Sequence, residues 1–392
     1  MLGVLCAATF VVASSGTSLA PFLLEMGRDL DSDLPAVANL VSILSIAWGV
    51  ASLAAGTASD RIGRRPVLVL GLGALAASRL GLALSASYAA AVGWQLLGGI
   101  GGGTYMGAVF AAVSDRMPPA QRGRALGWVI TGQSLSLVAG VPLLTFLGSF
   151  GGWRGAMATL GGAAIVGAAV VRLTVPGAAG ARATLTQSRA SLTGLVNARV
   201  LALLGAGTME RTCFVTVALY LATYLLTSYG ISLTELAVAL ALVALGNLGG
   251  NTLGSQLADR LPARPLVFAA SSVATGALGL PLLLWQPGIA MSVGLGCAYA
   301  LTNAIGRPAL LAALSDVPAD VRGAVLGLNI TTASVGWIAA AAGGGWLIAR
   351  FGFGALGIFC AAGGGAGAVF AALAWRAGRR ARGSEVISIR HD

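Results

Sequence analysis

The chain has 392 residues, 57% hydrophobic and 9% charged, with a mean hydropathy of +0.86. Soluble domains run at about 45–50% apolar and about 25% charged, so an ordinary soluble globule is excluded. The formal net charge of +11 would suggest nucleic acid on a soluble chain. Here the arginines fall between long apolar runs, which is a membrane-topology signal instead.

Twelve runs are long enough to cross a bilayer as helices: near 2–24, 35–57, 66–87, 90–113, 125–147, 154–174, 198–226, 234–257, 265–285, 289–313, 325–348 and 353–376. They are continuous rather than alternating, which argues against a β-barrel. Run 1 has no basic lead-in and no clear cleavage site, so it reads as a spanning helix rather than a signal peptide. An acidic cluster follows it: Glu25, Asp29, Asp31 and Asp33.

After run 2 comes GTASDRIGRRPVLVLG, residues 56–71, with Arg61, Arg64 and Arg65 close to Asp60. Asp115, Arg116, Arg122 and Arg124 follow run 4. Arg172, Arg182, Arg189 and Arg199 surround the centre, Arg260 and Arg264 follow run 8, and Arg322 follows run 10. Arg376, Arg379, Arg380 and Arg382 follow run 12, whereas the alternate segments hold only Arg28, Arg154 and Arg350. The positive-inside rule then predicts an integral protein of a bacterial-type inner (plasma) membrane. Both termini are expected in the cytoplasm and the acidic cluster outside.

All 24 basic residues are arginine. Without lysine there is neither a Walker A phosphate contact nor a Schiff base, so an ATP-driven pump is excluded. Cys6, Cys213, Cys297 and Cys360 lie in apolar runs without metal-ligand spacing, and the single histidine, His391, is in the tail. They read as packing residues; no metal and no cofactor are expected. With no nucleophile–base pair visible, neither is an enzyme. Gly71-Leu-Gly73-Ala-Leu-Ala76 fits a dinucleotide fingerprint on paper but lies inside an apolar run with no strand before it. GGIGGGTYMG at 98–107 reads as close helix packing.

The chain also repeats itself. GTASDRIGRRP at 56–66 aligns with SQLADRLPARP at 255–265, RGRALGWVIT at 122–131 with RGAVLGLNIT at 322–331, and FGGW at 150–153 with FGFG at 351–354. Motifs recurring at nearly one offset predict two parallel six-helix bundles: residues 1–174 and 198–378, joined by a polar linker at 175–197 and followed by a tail at 379–392. The predicted class is an all-α membrane protein with twelve transmembrane helices.

With these motifs the sequence resembles the major facilitator superfamily along nearly its whole length. Gly56, Asp60, Arg61, Gly63, Arg64 and Arg65 match the family's signature between its second and third helices. In the second copy Asp259 and Arg260 remain, while Ser255, Pro262 and Ala263 depart from it. The segment GVPLLTFLGSFGGWRGA at 140–156 is similar to the twelve-span drug:proton antiporter and sugar-efflux-like group. Gln95 stands where the family's fourth helix is expected to carry arginine. The resemblance implies a loop network that latches one conformational state, built from the six signature residues with Asp115, Asp259 and Arg260. It also implies a cavity lined by runs 1, 4, 7 and 10. The cavity candidates are Ser14, Thr17, Ser18, Tyr105, Thr208, Glu210, Arg211, Thr212, Tyr220, Tyr299, Asn303 and Arg307, with Gln133 and Asn329 able to reach inward.

Ionisable residues inside spans are costly and usually functional. Here they are Arg79, Glu210, Arg211 and Arg307. Glu210 is a candidate proton-coupling residue or half of a structural ion pair, with Arg307 the expected partner. Arg211 projects about 100° away on a helix and is the poorer candidate. The expected function is secondary active transport by alternating access: proton-coupled export of a small organic compound by a monomer in the lipid bilayer, with no nucleic-acid partner. Two alternatives remain: a carrier for an organic anion, and a membrane sensor or assembly factor without transport.

Overall fold

The computed structural model describes residues 1–118, 121–176, 197–317 and 319–388. Most of the expected linker and His391 therefore lie outside the described residues. The described chain is helical: α1 (Leu2–Thr17), α2 (Leu23–Asp29), α3 (Leu34–Ile62), α4 (Arg64–Ala83), α5 (Tyr88–Ser114), α6 (Arg122–Leu135), α7 (Val141–Thr174), α8 (Ala198–Tyr229), α9 (Leu233–Arg260), α10 (Arg264–Leu284), α11 (Ile289–Ser315), α12 (Ala319–Ile338), α13 (Gly344–Phe351) and α14 (Gly354–Ser388). The expected all-helical membrane class is what is observed.

Eleven described segments are long and apolar enough to span a membrane. One of them, Ala125–Thr174, has 50 residues. At 1.5 Å per residue it would run about 75 Å, over twice the hydrocarbon thickness. It is divided at Gly152, whose φ of 63° and ψ of −170° are not helical, so it supplies two spans. Gly352, 200 residues later, also has a positive φ, 75°, between α13 and α14. Run 1, expected as one helix, is broken: α1 stops at Thr17, and a single 3₁₀ turn at Ala20–Phe22 leads into α2. Pro21 in that turn has no N–H to continue the ladder.

The repeat is visible in the helix ends. Asp33 caps α3, its carboxylate accepting from Ala36 N at 2.8 Å. Ser232, 199 residues later, forms a reciprocal capping box with Glu235 ahead of α9. Each half also carries one widened π turn, at Ser136–Gly140 and at Ala339–Gly343. Pro142 follows the first and cannot donate to the carbonyl four residues back.

The described residues form two compact units. The first takes α1–α7 with Ala218–Ala241 and Ala341–Ala349; the second takes the start of α8, Leu242–Ala340 and the chain from Arg350. In the first, Leu5, Val12, Leu68, Leu72, Tyr105 and Val109 form the core. The added segments are tied in because Tyr220 donates to the Ala341 carbonyl at 2.6 Å and Gly345 leaves room for Pro35. In the second, Leu203, Phe268, Leu310, Leu314 and Val325 are central. Exposed Ile46, Val50 and Leu53 lie on one stripe of α3 and suit contact with lipid tails rather than water.

Close helix contacts depend on glycine. A Cβ at Gly99, Gly103 or Gly107 of α5 would come within 2.3–2.5 Å of the carbonyls of Leu44, Trp48 and Ser52 on α3. In the second unit the row is Gly246, Gly250 and Gly254 on α9, against the carbonyls of Cys297, Leu301 and Ile305 on α11. The repeat keeps the contact but moves the glycines to the opposite partner. Lipid provides little hydrophobic drive between helices, so such approach sustains association.

Gly152→Ala is expected to destabilise the protein by about 1–3 kcal/mol, because it combines a left-handed backbone with a Cβ 2.5 Å from Glu25 Oε1. Gly151→Ala, which has open space around it, is the control; unfolding of both in detergent checks the difference.

Candidate functional site

Three polar clusters stand out. The first is at the α3–α4 turn. Gly63 has φ of 95°, a conformation that favours glycine. It lets α3 stop and α4 start with one residue between, so the Arg64 side chain meets the end of α3. Arg64 pairs with Asp60 at 2.6 Å and with Asp115, just beyond α5, at 2.7 Å; it also donates to Ser59 Oγ. Arg61 is exposed, and among the described residues neither Arg61 nor Arg65 joins an ion pair within 4.0 Å. Arg64 is therefore the hub of the signature.

In the second copy Arg264 pairs with Asp316 at 2.9 Å and donates to the Ala258 carbonyl at 3.1 Å. Arg199 adds a contact to Asp316 at 3.7 Å. Asp259 and Arg260 are exposed. The gapless alignment sets Arg264 opposite Arg65, yet it does what Arg64 does. The cause is the turn: one residue separates α3 from α4, and three separate α9 from α10. Sequence reasoning missed Arg264 and Asp316. Carrying Asp115 across the SD pair at 114–115 to 315–316 would have found the acid.

The second cluster lies in α8 and α11. Glu210 and Arg211 are both buried, and Arg211 Nη2 donates to Glu210 Oε2 at 3.2 Å. The expected partner was Arg307. Adjacent residues do diverge on a helix, but the arginine side chain is long enough to fold back along it. Arg211 also lies 5.0 Å from the centroid of the Phe214 ring, a cation–π distance. Arg307 is half-buried and within electrostatic reach of both Arg211 and Glu210. Among the described residues it has no carboxylate within 4.0 Å and no hydrogen bond. One helical turn away, Asn303 is buried. The cluster holds two cations and one anion.

The other cavity candidates divide sharply. Tyr105 donates to the Leu5 carbonyl at 3.1 Å, Tyr220 to that of Ala341 at 2.6 Å and Tyr299 to that of Cys213 at 2.8 Å. Each buried phenol thus spends its proton tying one helical segment to another. Thr208 and Thr212 donate back to carbonyls four residues earlier, and Ser18 donates to the Ser15 carbonyl. Ser14 and Thr17 are buried with no hydrogen-bond partner among the described residues; Ser14 Oγ also stands where Gly140 could not carry a Cβ. Gln133 and Asn329 are half-buried.

The third cluster is Arg79 on α4, fully buried, with Nη2 donating to Gln95 Oε1 at 2.8 Å. Near the same end of the first unit, the acids expected outside hold the turn at Gly152. Glu25 accepts from Trp153 N at 3.3 Å, and Asp29 accepts from Trp153 Nε1 at 2.9 Å and pairs with Arg154.

The chain matches the Major Facilitator Superfamily model over residues 5–306 and again over 203–388. An uncharacterized MFS-type transporter of Bacillus subtilis, YceJ, is 21% identical over 324 residues, 82% of each chain. A chloramphenicol efflux pump of Mycobacterium tuberculosis is 30% identical over 176 residues, 45% of this chain and 42% of the pump. The crystal structure of a D-xylose–proton symporter superposes with a TM-score of 0.75 at 18% identity, covering 94% of this chain and 95% of that one.

Proposed function

We propose, from the premise that the chain belongs to the Major Facilitator Superfamily, that it exports a small organic compound by alternating access and draws energy from protons. Membership makes it an integral membrane transporter and not an enzyme. The observation that carries the coupling reading is the buried Glu210–Arg211 pair in α8. An ionisable residue inside a span is costly and usually functional, and this carboxylate sits beside a cation. A proton moving down 100 mV releases about 2.3 kcal/mol, enough to accumulate or expel a solute. The export direction is supported by the efflux pump relative and by the antiporter-like segment at 140–156. We place the protein in the inner membrane as a monomer, with the arginine-rich turns and both termini in the cytoplasm.

A second reading, transport of an organic anion, is favoured by one observation: Arg307 is a half-buried guanidinium with no carboxylate within 4.0 Å among the described residues, and Asn303 is one turn away. A guanidinium suits bidentate recognition of a carboxylate. The Arg64 clamp we assign to a latch that stabilises one transport state, with Arg264–Asp316 as its counterpart in the repeat.

In proteoliposomes, Glu210→Gln is expected to abolish proton-driven flux while sparing substrate counterflow; equal loss of both would assign the pair to structure. Arg307→Gln is expected to weaken binding of an organic carboxylate tenfold or more with little effect on a neutral compound, and an equal effect on both would remove the anion reading. Arg64→Gln is expected to redistribute spin-label distances between the two halves, whereas Arg61→Gln leaves them unchanged; identical distributions for both variants would count against the latch.

A further inference from the structure

The first unit contains a cation that its described residues leave uncompensated. Arg79 is fully buried on α4. Its strongest contact is the 2.8 Å bond to Gln95 Oε1 on α5. The other two are long: Nη1 lies 3.4 Å from Ser18 Oγ after α1 and 4.0 Å from Met157 Sδ on α7. Among the described residues no carboxylate lies within 4.0 Å of it, and its Nε has no partner. Gln95, also fully buried, has no partner for Nε2.

Both unsatisfied atoms are donors. Turning the Gln95 amide over does not help, because the guanidinium carries only donors and needs the amide oxygen. The cluster therefore has donors in excess and a positive charge in a low-dielectric interior, where a lone ion is costly. The carbonyls at the end of α1, near Ser18, offer a partial negative charge but do not reach the Nε and Nε2 groups. The guanidinium cannot withdraw towards α5 either: a Cβ at Gly98 would already lie 2.6 Å from Nη2. A water molecule would accept these hydrogen bonds but leave the charge uncompensated, whereas an anion answers both.

We propose that Arg79 and Gln95 bind a small inorganic monoanion of chloride size inside the first unit, as a structural ion separate from the charges on α8 and α11. The test uses the purified full-length protein in detergent, unfolded thermally in sodium chloride, sodium bromide or sodium gluconate at equal ionic strength and pH. Chloride and bromide are expected to raise the midpoint saturably by several degrees, and gluconate is not. Gln95→Glu, which supplies a carboxylate beside Arg79, is expected to fold without halide and to lose the shift. Arg79→Gln is expected to lose it as well, and bromide is expected to give an anomalous peak beside Arg79 in crystals. Equal midpoints in chloride and gluconate for the native protein would overturn the proposal, as would a halide shift that survives in Gln95→Glu.

Discussion

A peptide group in hydrocarbon has no water to bond to, so its N–H and C=O must find partners within the protein. Much of the structure follows from that constraint. It makes the described chain helical, and it explains how the ladder is interrupted. The break at Ser18–Phe22 keeps a 3₁₀ turn, and Ser18 donates back to the Ser15 carbonyl. The π turn at Ala339–Gly343 has one carbonyl taken by the Tyr220 phenol. At Gly152 the freed N–H of Trp153 is met by Glu25. Each of these three departures from a straight helix comes with a side chain that answers for it.

The same constraint sorts the polar residues. Three tyrosines that the family resemblance marks as cavity candidates each satisfy a backbone carbonyl, and so serve helix packing. Among the described residues Arg307 has no carboxylate within 4.0 Å, and Asn303 is buried one turn away. Charge is treated with equal economy. The clamps at the helix ends are half exposed, where ion pairs are cheap to form and to break. Among the described residues, the charges inside spans are a pair at Glu210–Arg211, a cation at Arg307 with no carboxylate within 4.0 Å and a hydrogen-bonded cation at Arg79.

Duplication preserved relationships rather than residues. The glycine row facing a neighbouring carbonyl row is on α5 in one unit and on α9 in the other. The arginine–aspartate clamp survives, but its arginine shifts by one place because the turn lengthens. The physical object retained is a short distance between two helices, or between a turn and an acid. Either partner can provide it.

The helical spans, the repeat and the arginine-rich ends were legible from the sequence alone. Hydropathy and loop charge are local sums, and a bilayer reads them without reference to distant residues. Tertiary structure decided which side chains meet: Arg64 rather than Arg61 at Asp115, Arg264 with Asp316, Arg211 rather than Arg307 at Glu210, and Arg79 with Gln95. These partnerships depend on the rotation of each helix about its axis and on how far a long side chain folds back. Rotation is set by packing across many glycine and apolar contacts at once, and no single stretch of sequence carries it.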